Sequence, residues 1–178
     1  MYISLQQLEV RPVRFKAEVP AGEIDYDVTV TQASQLNAEG TAQLLSRSLG
    51  EIRLEGKLDV TMDAQCDRCL ESASIPVNRN FDLVYMPAEE SRSGEVEINQ
   101  AAIEVGFYEG SGLELNDVLR EVVLLSLPMQ VVCSEACKGM CPSCGENRNL
   151  HDCGCQPEPL DDRWSKLKNF RAEEGPRN

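Results

Sequence analysis

Cysteine spacing is the feature that most constrains how this chain can fold. The chain of 178 residues contains eight cysteines, six of them within the 23 residues 133–155. They are Cys66, Cys69, Cys133, Cys137, Cys141, Cys144, Cys153 and Cys155. The first residues, MYISLQQLEVRPVR, hold no apolar stretch typical of a signal peptide, so we expect a cytoplasmic protein with reduced thiols. Clustered cysteine pairs in that setting indicate structural zinc sites in preference to disulfides.

The last four cysteines have the spacing of a local zinc site. Cys141-Pro-Ser-Cys144 is a zinc-knuckle sequence, and Gly145 supplies the positive φ that such a turn often requires. Cys153-Gly-Cys155 follows eight residues later and offers two more thiolates. The run C-x2-C-x8-C-x-C can therefore close a four-thiolate tetrahedron by itself.

The other four cysteines predict a second site that joins distant segments. Cys66 and Cys69 would share an ion with Cys133 and Cys137, tying a hairpin tip to the chain after a helix. Two alternatives stay open: the two C-x2-C pairs share one zinc as in a zinc ribbon, or one site is filled and the other cysteines are spare. We therefore expect one or two structural zinc ions, each worth about 10–16 kcal/mol of folding energy in small peptides.

The same residues argue against enzymatic activity. His151 is the only histidine, and it lies between candidate metal ligands, where it is a solvated loop residue or a substitute ligand. Four thiolates leave zinc no open coordination position for a substrate. A thioredoxin-like redox pair at Cys66 and Cys69 is disfavoured, because that motif starts a helix and here it joins two predicted strands.

Hydrophobic periodicity predicts an α+β fold that is mainly β. Apolar side chains alternate along 51–63 and again along 75–85, which indicates a hairpin with the sequence CDRC at its tip. Weaker alternation lies around 26–30 and 103–107. We expect a curled antiparallel sheet or small barrel with a packed helix and a cysteine-rich, zinc-binding carboxyl-terminal segment.

The helix is predicted from Leu115, where apolar residues adopt helical spacing through Leu125. Asn116 or Asp117 can cap its start, and Pro128 ends it. Residues 1–130 carry 10 bases and 22 acids, whereas residues 131–178 carry 7 bases and 8 acids. We therefore predict an acidic β-rich domain over 1–130, a zinc-binding segment over 131–158, and a short basic aromatic helix with a frayed tail over 159–178.

The basic aromatic segment has four bases, no acid and the only tryptophan within nine residues. Its candidate contacts with RNA or a protein partner are Arg163, Trp164, Lys166, Lys168 and Arg171. The alternative is that one face of this short helix packs on the sheet of the same chain.

Several of these motifs together resemble the bacterial YceD family, whose members are called large ribosomal RNA subunit accumulation proteins. The matching motifs are CDRCL, LPM, CSEACKGMCPSCGENRN, CGC and PLDDRWSKLKNF, and the resemblance covers most of the chain from about Leu54 onward. It implies a role in 23S rRNA accumulation or large ribosomal subunit assembly, often beside a small basic large-subunit ribosomal protein, and it implies no enzymatic activity.

Three functions follow as hypotheses. The first is a non-enzymatic, zinc-stabilised assembly factor whose acidic domain engages a basic large-subunit ribosomal protein or a pre-50S particle. The second is direct rRNA binding by the zinc segment and the basic tail. The third is a thiol redox switch that releases zinc on oxidation. The net charge of −13 and the lack of a long apolar run argue against a membrane partner.

Overall fold

The computed structural model describes residues 1–26, 29–46, 50–88 and 105–155. The described elements are β1 Tyr2–Ser4, α1 Leu5–Val10, β2 Val13–Val19, β3 Val30–Gln32, β4 Leu36–Ser46, β5 Glu51–Gln65, β6 Ser72–Pro87, β7 Val105–Tyr108, β8 Gly112–Glu114 and α2 Leu115–Ser126. The described chain is therefore mainly β, as predicted.

The predicted hairpin is the longest feature of the fold. Strands β5 and β6 pair antiparallel from Ile52 opposite Tyr85 to Gln65 opposite Ser72. Along β5, buried apolar residues alternate with more exposed residues, which confirms the period-2 pattern in the sequence. Residues 66–71 connect the two strands, so the first C-x2-C pair lies at the hairpin tip.

The main sheet is open and has one parallel edge. Its strand order is β2-β4-β5-β6-β7, and β3 pairs with β5 beyond the end of β4. The pairing of β6 with β7 is parallel, so the prediction of a wholly antiparallel sheet is wrong there. A parallel pair needs a connection of a dozen or more residues, and 88–104 supply that length. The described strands do not close into a small barrel. The weakly predicted strand around 103–107 is present as β7, whereas the alternation at 26–30 overlaps β3 only at Val30. Val28 and Ile103 lie outside the described residues.

Two glycines and two phenylalanines form one row across four strands. Phe15 is opposite Gly40, Gly40 is opposite Gly56, and Gly56 is opposite Phe81. A Cβ on Gly56 would lie 2.5 Å from the carbonyl oxygen of Glu39 and 2.9 Å from Cζ of Phe81. The two aromatic rings therefore cover bare backbone, and β4 and β5 approach each other more closely here than side chains would allow. We call these four residues the glycine row.

Helix α2 has 12 residues and packs on the sheet through Leu115, Val118, Leu119, Val122 and Val123. Its N-cap is Glu114, without a side-chain cap, so the predicted caps Asn116 and Asp117 are wrong. The Leu115 N–H instead donates to the carbonyl of Met1 at 2.8 Å, because β1 pairs with β8 immediately before the helix.

The carboxyl-terminal end of α2 also tests the sequence pattern. Leu125, placed on the apolar face by spacing, is 76% exposed. The helix ends before Pro128, as expected.

Among the described residues, no helix has the length and apolarity to span a membrane.

Candidate metal centres

The first group of cysteines joins the hairpin tip to the segment after α2. Cys66 and Cys69 come from the tip, and Cys133 and Cys137 follow the helix. Sγ of Cys66 lies 4.0 Å from Sγ of Cys137, and Sγ of Cys69 lies 3.6 Å from Sγ of Cys133. Three of the four residues are buried and Cys133 is exposed. We call these residues the first tetrad.

The second group is local. Cys141, Cys144, Cys153 and Cys155 bring their sulfurs within 4.8 Å of one another. Cys141 is buried, Cys153 is half-buried, and Cys144 and Cys155 are exposed. Gly154 has a φ of +64°, so the chain bends sharply between the last two cysteines. We call these residues the second tetrad.

The two C-x2-C turns have the same backbone structure. In the first, the Cys66 N–H donates to the Glu71 carbonyl at 2.8 Å, and the Leu70 N–H donates to the Cys66 carbonyl at 2.9 Å. The second repeats both bonds at 2.8 Å, from Cys141 to Glu146 and from Gly145 to Cys141.

The residue after each second cysteine is left-handed. Gly145 has a φ of +76°, and the equivalent Leu70 has a φ of +64° despite its side chain. Such turns direct backbone N–H groups at the sulfur atoms, as metal knuckles require.

The donor sets fit tetrahedral zinc. With Zn–S bonds of about 2.3 Å, four thiolates around one ion lie about 3.8 Å apart. In the first tetrad, the Cys69–Cys133 and Cys66–Cys137 sulfur separations of 3.6 and 4.0 Å bracket that value. Each tetrad supplies four soft ligands, so a bound ion would have a complete coordination sphere and a structural role.

Hydrogen bonds and neighbouring sulfurs shift the thiol pKa values in opposite directions. Burial raises the pKa of Cys66, but backbone N–H groups, that of Cys133 first, outweigh burial and lower it to about 6. The N–H groups of Cys144 and Ser143 lower the pKa of Cys141, also to about 6.

One cysteine of each tetrad, Cys69 in the first and Cys155 in the second, strongly resists ionisation. The Glu71 N–H favours the Cys69 thiolate, yet burial and the surrounding sulfurs raise the pKa of Cys69 to about 12. Hydrogen bonds with Cys144 and Cys153 raise the pKa of Cys155 to about 12. Four thiolates therefore repel one another, and a divalent cation removes that cost.

Backbone pairing positions the segment after α2 against the hairpin tip. The Asp67 N–H donates to the Val131 carbonyl at 2.8 Å, and the Val131 N–H donates to Oδ2 of Asp67 at 2.7 Å. Val131 and Val132 also pack on the buried cysteines of the first tetrad. This pairing brings Cys133 to the tip and selects the stapled arrangement of cysteines over the crossed ribbon.

The remaining predicted residues do not join the tetrads. His151 is exposed, and its backbone N–H donates to the Asn147 carbonyl at 3.1 Å. Arg163, Trp164, Lys166, Lys168 and Arg171 lie outside the described residues.

Sequence reasoning missed two polar residues beside the first tetrad. Nδ2 of Asn149 donates to Sγ of Cys137 at 3.4 Å, and Oδ1 of Asn147 accepts from the same amide at 3.0 Å. Asparagines are common in turns, so no sequence signal identified these two as contacts of the first tetrad.

Comparison with known proteins gives a family match and several relatives. The family model described as "Large ribosomal RNA subunit accumulation protein YceD" matches residues 54–171, which include both tetrads. The "Large ribosomal RNA subunit accumulation protein YCED homolog 1, chloroplastic" of Arabidopsis thaliana is 27% identical over 167 residues, 74% of this chain and 49% of its own length. The Zea mays protein of the same name is 24% identical, over 64% of this chain and 47% of its own.

Another relative is bacterial. An uncharacterized protein of Mycobacterium tuberculosis is 24% identical over 83% of this chain and 67% of its own length. The chain spans about half the length of the two plant relatives. No solved structure matches it.

Proposed function

We propose, from the premise that this chain belongs to the YceD family of large ribosomal RNA subunit accumulation proteins, that it is a non-enzymatic factor for 23S rRNA accumulation and large ribosomal subunit assembly. The observation that carries this proposal is the family match over 54–171, which contains the hairpin, α2 and both tetrads. The family implies a role in large-subunit rRNA accumulation. Assembly, partner and metal are the parts that we propose.

Zinc in this function is structural. Each tetrad offers four thiolates, and these saturate a tetrahedral ion, so the metal holds the tip and the following segment together without meeting a substrate. We place the protein in the cytoplasm, where thiols stay reduced. The names of the two plant relatives place those proteins in the chloroplast.

The acidic domain supports engagement of a basic large-subunit ribosomal protein or a pre-50S particle carrying it. On the sheet, three cations are matched by acids: Lys16 with Glu18, Lys57 with Glu39, and Arg53 with Asp82. Around the start of α2, by contrast, Glu23, Asp25 and Asp117 line one groove in which Arg120 is the only cationic side chain. Glu114, in the same groove, is paired with the amino-terminal ammonium of Met1 at 2.6 Å. Unmatched carboxylates attract a basic partner and accelerate its binding at low salt.

A pull-down at low salt tests this proposal. We expect the wild-type chain to recover a basic large-subunit protein or a pre-50S particle, and the variant Glu23→Gln/Asp25→Asn/Asp117→Asn to recover much less. The control Glu18→Gln/Glu39→Gln/Asp82→Asn changes net charge equally but at carboxylates that already have cation partners. Equal recovery by all three proteins would reject the acidic surface, and no recovery by the wild type would reject the partner.

Direct rRNA binding is the second candidate, favoured by the cations near the tetrads. Arg68, Lys138 and Arg148 are exposed, and none forms an ion pair with another described residue. Backbone bonds bring them together: the Met140 N–H donates to the Arg68 carbonyl at 2.8 Å, and the Arg148 N–H donates to the Gly139 carbonyl at 3.0 Å. Clustered cations without carboxylate partners can contact phosphates.

Two sets of alanine variants test this candidate. One replaces Arg68, Lys138 and Arg148, and the other replaces the tail residues Arg163, Lys166, Lys168 and Arg171. Each phosphate contact removed should weaken rRNA binding and lower the salt dependence of log K by about 1. An unchanged gel shift at every salt concentration in both sets would remove this function.

A further inference from the structure

The loop that closes the second tetrad also covers the first. Residues 145–150 connect Cys144 to the segment carrying Cys153, yet the side chains of Asn147 and Asn149 face the first tetrad and its turn. Nδ2 of Asn149 donates to Sγ of Cys137 at 3.4 Å. A side chain from one candidate metal site therefore hydrogen-bonds a sulfur ligand of the other.

Backbone bonds fix this loop against the segment between the tetrads. The Lys138 N–H donates to Oδ1 of Asn149 at 2.8 Å, and the Arg148 N–H donates to the Gly139 carbonyl at 3.0 Å. Met140 and Asn147 form an antiparallel bridge. Asn149 is thus held at both ends of its amide, with the nitrogen at the sulfur and the oxygen at the backbone.

A second asparagine extends the contact to the hairpin tip. Oδ1 of Asn147 accepts from both the backbone and the side-chain amide of Asn149 at 3.0 Å. Nδ2 of Asn147 donates to Oε1 of Glu71, directly after the first C-x2-C turn, at 3.3 Å. The side chains form a continuous chain from Glu71 through Asn147 and Asn149 to the Cys137 sulfur.

We propose that the two tetrads form one coupled metal centre, in which closure of the second tetrad positions Asn149 on Cys137 and thereby strengthens metal binding by the first. The proposal rests on the zinc loading proposed above. Loading of Cys144 and Cys153 fixes the two ends of the loop, and the fixed loop presents the Asn149 amide to the sulfur. Because linkage is reciprocal, a loaded first tetrad favours closure of the second to the same degree.

The expected loss of metal affinity can be judged from other metal sites, in which residues hydrogen-bond the metal ligands. Loss of such a group typically costs tenfold to a hundredfold in metal affinity. We expect Asn149→Ala to weaken zinc binding by the first tetrad within that range. We expect the same loss from Cys144→Ser/Cys155→Ser, which opens the loop without touching the first tetrad.

The measurement is zinc protection of each cysteine. Thiols are alkylated at a series of buffered free zinc concentrations, and peptide mapping then reports Cys66, Cys69, Cys133 and Cys137 separately from the second tetrad. Arg148→Ala is the matched control, because Arg148 contributes its backbone N–H, which the alanine keeps. Circular dichroism of the sheet is the check that each variant is folded.

Asn149→Asp separates the sulfur bond from simple anchoring of the loop. The aspartate keeps an oxygen for the Lys138 N–H but has no amide hydrogen to donate to Cys137. Coupling through the sulfur predicts that this variant loses at least as much affinity as Asn149→Ala. Wild-type affinity in Asn149→Asp would overturn that role.

A double-mutant cycle completes the test. In the Cys144→Ser/Cys155→Ser background, adding Asn149→Ala should cause no further loss. Independent, additive losses, or no loss in either variant, would overturn the coupling. Absence of zinc in the wild type would overturn zinc loading as well, whereas two bound zinc ions with unchanged affinities in the variants would overturn the coupling alone.

Discussion

Replacing Cys133 with serine should destabilise the whole sheet, although Cys133 lies outside it. In the first tetrad, Cys69 and Cys133 are 64 positions apart, and Cys66 and Cys137 are 71 apart. Zinc bound there, as proposed above, would close a loop that contains β6, β7, β8 and α2. Cys133→Ser leaves three of the four ligands, so the ion is held less tightly, and its release opens this loop.

The length of the closed loop sets the expected loss in the free energy of unfolding. A cross-link closing a loop of this length removes about 4 kcal/mol of chain entropy from the unfolded state. Cys133→Ser should therefore lower the free energy of unfolding by up to about 4 kcal/mol. At a urea dependence of about 2 kcal/mol per molar, the midpoint falls by up to about 2 M.

Urea denaturation followed by circular dichroism of the sheet, in excess zinc, measures this change. Ser134→Ala is the matched control and should leave the midpoint unchanged, because the Ser134 contact given by the structure is made through its carbonyl. Cys155→Ser opens the local tetrad and should cost less, about 1.4–2.7 kcal/mol through weaker loading of the first tetrad. A midpoint for Cys133→Ser equal to that of Ser134→Ala, or a larger loss from Cys155→Ser, would refute the reasoning.

Three further predictions concern single positions. Leu70→Gly relieves a left-handed leucine and should raise the free energy of unfolding by about 0.5–1 kcal/mol, whereas Gly145→Ala should lower it by about 1 kcal/mol, both by urea denaturation. Gly106→Ala places a Cβ against the Tyr85 ring and should cost about 1–3 kcal/mol in thermal unfolding; an unchanged melting temperature would contradict the packing. In metal-free protein, the lowered pKa of Cys66 favours its thiolate, so its contribution to stability is present above the ordinary thiol pKa and is lost as pH falls through about 6. Thiolate absorbance should therefore fall in that range, and by less in Cys66→Ser.

Local patterns predicted the elements that depend on local forces. The alternation from Ile52 to Met62 reports burial of one strand face, and it located β5 correctly. The helical spacing from Leu115 located α2, but its predicted cap failed. The first N–H of that helix is satisfied by Met1, a residue 114 positions away, and no pattern near the helix records such a pairing.

The sequence predicted both tetrads, as the structure has them, but it left the crossed ribbon open as an alternative pairing. Both C-x2-C turns have the same sequence spacing, so spacing cannot decide which second pair each one takes. The backbone pairing of Asp67 with Val131 decides it, and neither residue is a metal ligand. Asn149 was beyond sequence reasoning for a similar reason, since its role depends on a fold that brings residue 149 to Cys137.

The glycine row limits how this sheet can vary in evolution. A Cβ on Gly40 would meet the Glu55 carbonyl oxygen, and one on Gly56 would meet that of Glu39. Both obstacles are backbone atoms, so no smaller residue in place of Phe15 or Phe81 can compensate. A relative with a side chain at either glycine position must separate β4 from β5 at mid-sheet. These two positions therefore identify, from sequence alone, which relatives keep this strand spacing.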